Sequence, residues 1–290
     1  MLLALLHPAL GLIFIVAIRG RTLVADPREQ GLWMAGVGTF SAALYLLHVL
    51  PLLDAIDIVA GLGMGVVAFA WSLRRTRSWM GAILGGTAAQ VVYAGLRRYL
   101  FAGYYQELVD TVHTAMSQAL QQSAAQLTPE NLQTLSDMVD TMARFLIRFQ
   151  EAVWAVPMLL GLYLAALLLS GRVPFGWSHR TTRLPHGMVY PLIAGMAMVL
   201  IAATQTAGWN IVIILAWLYG LQGMMIIDFY WGKYFARSRV LTVILVLAIM
   251  LNYFILGLIM LMGLLDTWFN FRKLPDMEDN SGDHSHTGNL

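Results

Sequence analysis

Apolar residues in this chain come in runs of about 20, the length a helix needs to cross the hydrocarbon core of a bilayer, and polar residues collect between them. The runs fall at 2–18, 32–50, 52–73, 79–96, 152–170, 189–207, 209–230 and 240–265. They predict an all-α, polytopic integral membrane bundle of about eight transmembrane helices. No Lys or Arg separates the second run from the third, so the break there rests on His48, Pro51, Asp54 and Asp57, which predict a hairpin near one interface. The first run has no basic n-region and no A-x-A cleavage site before Arg19, which reads as a retained span. Its His7-Pro8 pair predicts a bend, tolerated in a span where neighbouring helices re-satisfy the freed backbone.

The stretch 104–148 patterns differently. Leu108, Val112, Met116 and Leu120 recur at every fourth position and so share one helical face. Thr128, Pro129 and Glu130 form a helix start, with a hydroxyl cap, a proline at the first helical position and an acid in the first turn. Leu132, Leu135, Val139, Met142 and Leu146 continue it as a second amphipathic helix. The chain is thus expected to divide into membrane helices over 1–100, an amphipathic helical hairpin over 101–150, further membrane helices over 151–270 and an acidic, disordered tail over 271–290.

Composition sharpens the class. Apolar residues make up 59% of the chain and charged residues 12%, against about 25% charged in a typical globular domain. That balance excludes an ordinary soluble enzyme, a disordered chain and a nucleic-acid binder. With no cysteine, disulfide scaffolds, iron–sulfur sites and thiol nucleophiles are excluded too. Cations fall at alternate connections: Arg19, Arg21 and Arg28; Arg74, Arg75 and Arg77; Arg172, Arg180 and Arg183; Lys233, Arg237 and Arg239. Cytoplasmic loops are enriched in such residues, so these connections are expected inside, with both termini and the 104–148 hairpin extracytoplasmic. Arg97 and Arg98, at the opposite end of their run, are the counter-signal.

Ionisable and amide side chains inside spans are costly and are functional candidates by default. Asp54 and Asp57, three positions apart, would share a helical face and could bind a cation or share a proton, or could cap the third span in water. Once the orientation is imposed, Gln90, Gln205, Asn210 and Asn252, the last near mid-span, lie at a similar outward level to His48 and Asp54. Together they could line a polar cavity for a small solute, or could hydrogen-bond helices to one another. Gln222 and Asp228 lie toward the inner face, Asp228 within reach of Lys233. Gly61 with Gly65, and Gly81 with Gly85, have the spacing of close helix contacts. His284 and His286 supply too few ligands for a metal, no phosphate-binding loop occurs, and no nucleophile–base pair is visible. Neither a cofactor, a metal nor an enzymatic activity is expected.

Trp177, Pro185, Asn210, Leu221-Gln222-Gly223, Gly263-Leu264-Leu265-Asp266 and Phe271-Arg272 resemble the YybS-like family of predicted bacterial membrane proteins. The His7-Pro8 segment leading to Ile18-Arg19-Gly20, the Arg74-Arg75 stop and the polar insert before the fifth run extend the resemblance over most of the chain. It implies distant similarity to the substrate-capture subunits of energy-coupling-factor transporters, helical bundles that bind a small molecule near the outer face. Ala4, Ala9 and Ala17 depart from the four-residue spacing of small residues through which such subunits meet their coupling partner.

Two functions follow as expectations. One is a bacterial inner-membrane protein that binds or transports a small solute, with a membrane partner supplying energy. The other is a structural or regulatory membrane protein that docks a partner through the 104–148 hairpin. The orientation is directly testable because no native thiol interferes. An impermeant thiol reagent applied to intact cells should label Gln122→Cys and leave Ser178→Cys unlabelled; the reverse pattern overturns the topology.

Overall fold

Capping side chains and prolines set where the helices of this chain begin. The computed structural model describes residues 8–123, 128–170, 182–237 and 252–274. Helix α1 (Pro8–Ala25) gives way to α2 (Pro27–Leu46) at Asp26, whose carboxylate accepts the Arg28 N–H at 2.8 Å, with Pro27 at the first helical position. After a turn at His48 come α3 (Leu52–Ile56), a wide π-helical segment (Asp57–Gly63) and α4 (Met64–Thr76). Ser78 caps α5 (Trp79–Leu100). Then come α6 (Ala102–Ser123), α7 (Pro129–Arg148) and α8 (Gln150–Ser170). Thr128 caps α7 by accepting the Asn131 N–H at 3.3 Å, as the Thr-Pro-Glu start predicts. A 3₁₀ turn (His186–Met188) leads into α9 (Val189–Val199), followed by α10 (Gln205–Arg237) and α11 (Tyr253–Phe269). No strand occurs among the described residues.

Among the described residues, four helical stretches are long and apolar enough to cross a membrane: Leu52–Thr76, Trp79–Leu100, Gln150–Ser170 and Gln205–Gly232. His186–Val199 and Phe254–Phe269 are shorter apolar helices. Helices α1 and α2, which cover the described part of the runs at 2–18 and 32–50, are not among the four, so those two expected spans are not borne out, and two further runs also differ from expectation. The run at 189–207 is not one helix, because α9 stops at Val199 and the Thr204 hydroxyl donates back to the Met198 carbonyl at 3.0 Å, tightening a turn. Asn252 does not lie in mid-span but is the N-cap of α11, its side chain accepting the Phe254 and Ile255 N–H groups at 3.0 and 3.3 Å. An amide competes well for the orphan donors of a first turn, which is why the helix starts there. Of the tail expected to be disordered over 271–290, residues 271–274 are instead packed down, with Arg272 and Leu274 buried and the Leu274 N–H donating to Asn270 Oδ1 at 2.9 Å. The rest of the tail, with His7, His284 and His286, lies outside the described residues.

The chain forms two compact units, 1–177 with 190–215, and 178–189 with 216–290. In the first, α1, α4, α5 and α8 pack on one another. Leu12, Leu73, Leu159, Leu162 and Leu169 are fully buried there. Lipid tails are as apolar as leucine, so close packing and interhelical hydrogen bonds hold such a bundle together. Gly61 and Gly65 serve that packing, as their spacing predicts: a Cβ on Gly61 would meet the Trp154 and Tyr93 rings, and one on Gly65 would overlap the Gln90 amide. In the second unit α10 crosses α11 at Gly223 and Gly263, where a Cβ on either would overlap backbone of the opposite helix.

Candidate functional site

Helices α6 and α7 pack together as an arm, and the connections at its two ends, α5 to α6 and α7 to α8, are built from charged and amide side chains. Asp57, at the start of the π-helical segment, is buried, and Arg97 near the end of α5 grips it with Nε and Nη2 at 3.0 and 3.1 Å. The Tyr93 hydroxyl donates to the same carboxylate. Tyr93 and Arg97 are four residues apart, so one face of α5 delivers both. Arg97 also lies over the Trp154 ring at 5.2 Å, and the Tyr93 and Trp154 rings are 5.6 Å apart. The Trp154 indole donates to Gln90 Oε1 at 2.9 Å, and Gln90 Nε2 donates to the Gly61 carbonyl at 2.5 Å. That carbonyl lies within the π-helical segment, where the wider turn disturbs the regular ladder. The amide of Gln90, fully buried, thus repairs a backbone irregularity of its neighbour.

The neighbouring residue of each partner continues the collar. Arg98 Nη1 donates to Glu151 Oε1 at 2.7 Å, tying the end of α5 to the start of α8. Next to Glu151, the Ala152 N–H donates to Asn210 Oδ1 at 2.9 Å. Asn210 Nδ2 donates to the Arg148 carbonyl at 3.1 Å and to the Thr206 carbonyl at 2.9 Å. Arg148 Nη2 in turn donates to Gln205 Oε1 at 2.9 Å. One buried asparagine therefore spans the break between α7 and α8 and satisfies backbone groups on both sides of it, groups that would otherwise be orphaned at the helix ends.

The seven expected site residues separate accordingly. Asp57 and Gln90 meet through Trp154 and Arg97, and Gln205 and Asn210 meet through Arg148. His48 is exposed in the turn after α2, with φ of 56°, and Asp54 is exposed in the first turn of α3. Asn252 belongs to the second unit. Asp54 is exposed, whereas Asp57 is buried and held by Arg97. The amides of Gln90 and Asn210 are engaged by protein donors and acceptors, the interhelical hydrogen-bonding alternative for these two residues. Sequence reasoning set Arg97 and Arg98 aside as a topological counter-signal. The rule that a buried charge must be paired could have marked them as arginines in need of acids, although not which acids.

The second unit holds a polar centre of its own. Gln222 accepts the Leu184 N–H at 2.9 Å and donates to Asp266 Oδ2 at 3.0 Å, where Arg272 Nη2 also donates at 2.9 Å. Arg183 Nη2 donates to the Thr267 carbonyl at 2.5 Å. Gln222, expected only to lie toward the inner face, is fully buried beside Asp266, because a carboxylate away from water needs the donors within its reach. The Lys233 side chain lies outside the described residues. Leu221-Gln222-Gly223, Gly263 to Asp266 and Phe271-Arg272 thus meet in one place.

Away from the collar, the arm carries a groove of about 860 Å³ between α6 and α7. Met116 and Leu120 from α6, and Leu135, Met138, Met142 and Phe145 from α7, form its apolar walls. Val109 and Val139 are buried on the same two helices. His113 Nε2 and Asp140 Oδ1 are 2.6 Å apart across the pair. Among the described residues no group of three or more His, Asp or Glu is placed to hold a metal.

Membrane-length helices with ionisable residues paired inside the bundle define a polytopic helical membrane protein. The chain belongs to the family described as predicted membrane protein (DUF2232), whose model matches residues 1–267. No curated protein and no solved structure matches it.

Asn210→Leu should leave the Arg148 carbonyl and the Ala152 N–H without their side-chain partner, at about 1–3 kcal/mol for the groups left unpaired. Limited proteolysis in detergent should then cut within 128–150 several times faster than in the parent, with helical circular dichroism unchanged. Equal cutting rates would show that Asn210 does not hold the junction.

Proposed function

We propose that this membrane protein binds a small apolar molecule in the groove between α6 and α7, with the polar collar fixing the arm on the bundle. The observation that carries the proposal is the groove itself. Its volume of about 860 Å³ falls within the roughly 300–1,000 Å³ of small-molecule sites, and its lining is apolar with a few polar side chains at one side, the usual composition of such sites. The amides expected to hold a solute have protein partners, so the small-molecule part of the solute-capture reading is kept and its site moves to the arm. The YybS-like resemblance, with its distant similarity to energy-coupling-factor capture subunits, agrees with a binding role more than a catalytic one. A bacterial inner membrane is the location we propose, and an energising membrane partner belongs to the same analogy. Docking of a partner helix is the second reading, favoured by Met116, Met138 and Met142, whose flexible thioethers adapt to irregular surfaces.

The test uses full-length protein in phosphatidylcholine nanodiscs and an uncharged alkyl probe carrying a photoreactive diazirine. Labelling should concentrate on 116–120 and 134–145. It should fall at least fivefold in the Met138→Gln, Met142→Gln double variant, whose altered side chains are 63% and 55% exposed in the parent and so are replaceable without loss of the fold. Labelling confined to the membrane spans, or unchanged in the variant, would refute binding in the groove.

A further inference from the structure

The groove is not uniformly apolar. Thr134, Asp137 and Thr141 line one side of it, and their spacing of three and four places them along one stripe of α7. Asp137 has no ion pair or hydrogen bond among the described residues. The other acid at this level, Asp140, is occupied by His113. Arg144 lies beyond Thr141, its Nη2 3.5 Å from that hydroxyl, and does not line the groove. Across α6 and α7 there are five carboxylates and two arginines, and one of those arginines, Arg148, is engaged by Gln205 at the collar.

We infer that the groove takes a single-chain cationic amphiphile, its alkyl chain against the Met, Leu and Phe side chains and its ammonium head on the Asp137 carboxylate. This rests on the proposed binding role of the groove and names the ligand class. The charge balance selects the sign. A fatty carboxylate or an anionic headgroup would meet an unpaired acid and a net-negative arm, whereas an ammonium would complete the one carboxylate the groove leaves open. An acid beside an apolar wall recognises both ends of such a molecule, and the two flanking threonine hydroxyls add acceptors for the head. A basic amphipathic helix would satisfy the same charge, but it would need contact well beyond the dozen residues of α7 that the groove spans.

The test compares competitors for the alkyl diazirine probe on full-length protein in phosphatidylcholine nanodiscs. Dodecylamine should displace the probe from 134–145 at lower concentration than dodecanoate or dodecanol. Asp137→Asn should weaken the dodecylamine competition about two- to fivefold, the size of an exposed ion pair, and leave dodecanol unchanged. Groove labelling with no preference for the amine, or with the preference intact in Asp137→Asn, overturns the cationic ligand while leaving the groove as a binding site. Absence of groove labelling by any probe overturns the binding role itself. A synthetic basic amphipathic helix that displaces the probe where dodecylamine does not would assign the groove to a protein partner and also overturn the inference.

Discussion

A carboxylate surrounded by helices in lipid has no water to lean on, and its neighbours must supply every interaction that bulk solvent would have given. Asp57 meets that demand with the Arg97 guanidinium on both oxygens and the Tyr93 hydroxyl on one of them. The pair fixes the start of the π-helical segment against the end of α5. Trp154 can then lie under the guanidinium and over Tyr93, and its indole N–H can hold the Gln90 amide that closes on Gly61. Remove Arg97 and Asp57 is left as a buried carboxylate without its cation, a far larger loss than that of an exposed ion pair.

From this point the collar passes along the chain by single steps. Arg98 follows Arg97 and reaches Glu151; Ala152 follows Glu151 and reaches Asn210; Asn210 reaches the last turn of α7. The arm formed by α6 and α7 is therefore held at the end of α7 by directional contacts, while the stretch between Met116 and Phe145 carries the apolar groove. A rigid base with an adaptable, Met-lined middle is a physically sensible division. Hydrogen bonds and ion pairs specify geometry, and unbranched thioethers accommodate an irregular ligand. The division also accounts for Asp57, Gln90 and Asn210, candidate ligands on polarity alone that are engaged within the protein.

Much of the helical layout was legible in sequence because apolar runs, caps and prolines act locally. The break at His48, the Thr128-Pro129 start of α7 and the close contacts at Gly61 and Gly65 all follow from neighbours in sequence. The apolar face through Met116, Leu120, Leu135 and Met142 was equally visible. It pointed to the helices that carry the groove, although not to the groove, since a concavity depends on how two helices lie together. What was not legible were pairings across the fold. Asp57 to Arg97 spans 40 positions and Ala152 to Asn210 spans 58, and nothing local says which acid an arginine will find. Depth along a span was a poor guide for the same reason. Asn252 has mid-run polarity but caps a helix, and Gln222 turns inward to Asp266. The shared position of Leu221-Gln222-Gly223, Gly263 to Asp266 and Arg272 shows that those short motifs are linked by contact across two helices.

The claim that buried charges here lock the bundle, instead of waiting for a ligand, is tested most directly by a double-mutant cycle on Asp57 and Arg97, read as thermal stability in detergent. Arg97→Leu should destabilise by about 3–5 kcal/mol, because it strands the buried Asp57 carboxylate, and Asp57→Leu by less, because Arg97 is only part-buried, while the double variant should recover most of the loss seen in Arg97→Leu. A double variant as unstable as the sum of the two singles would mean that the charges do not depend on one another, contradicting the account.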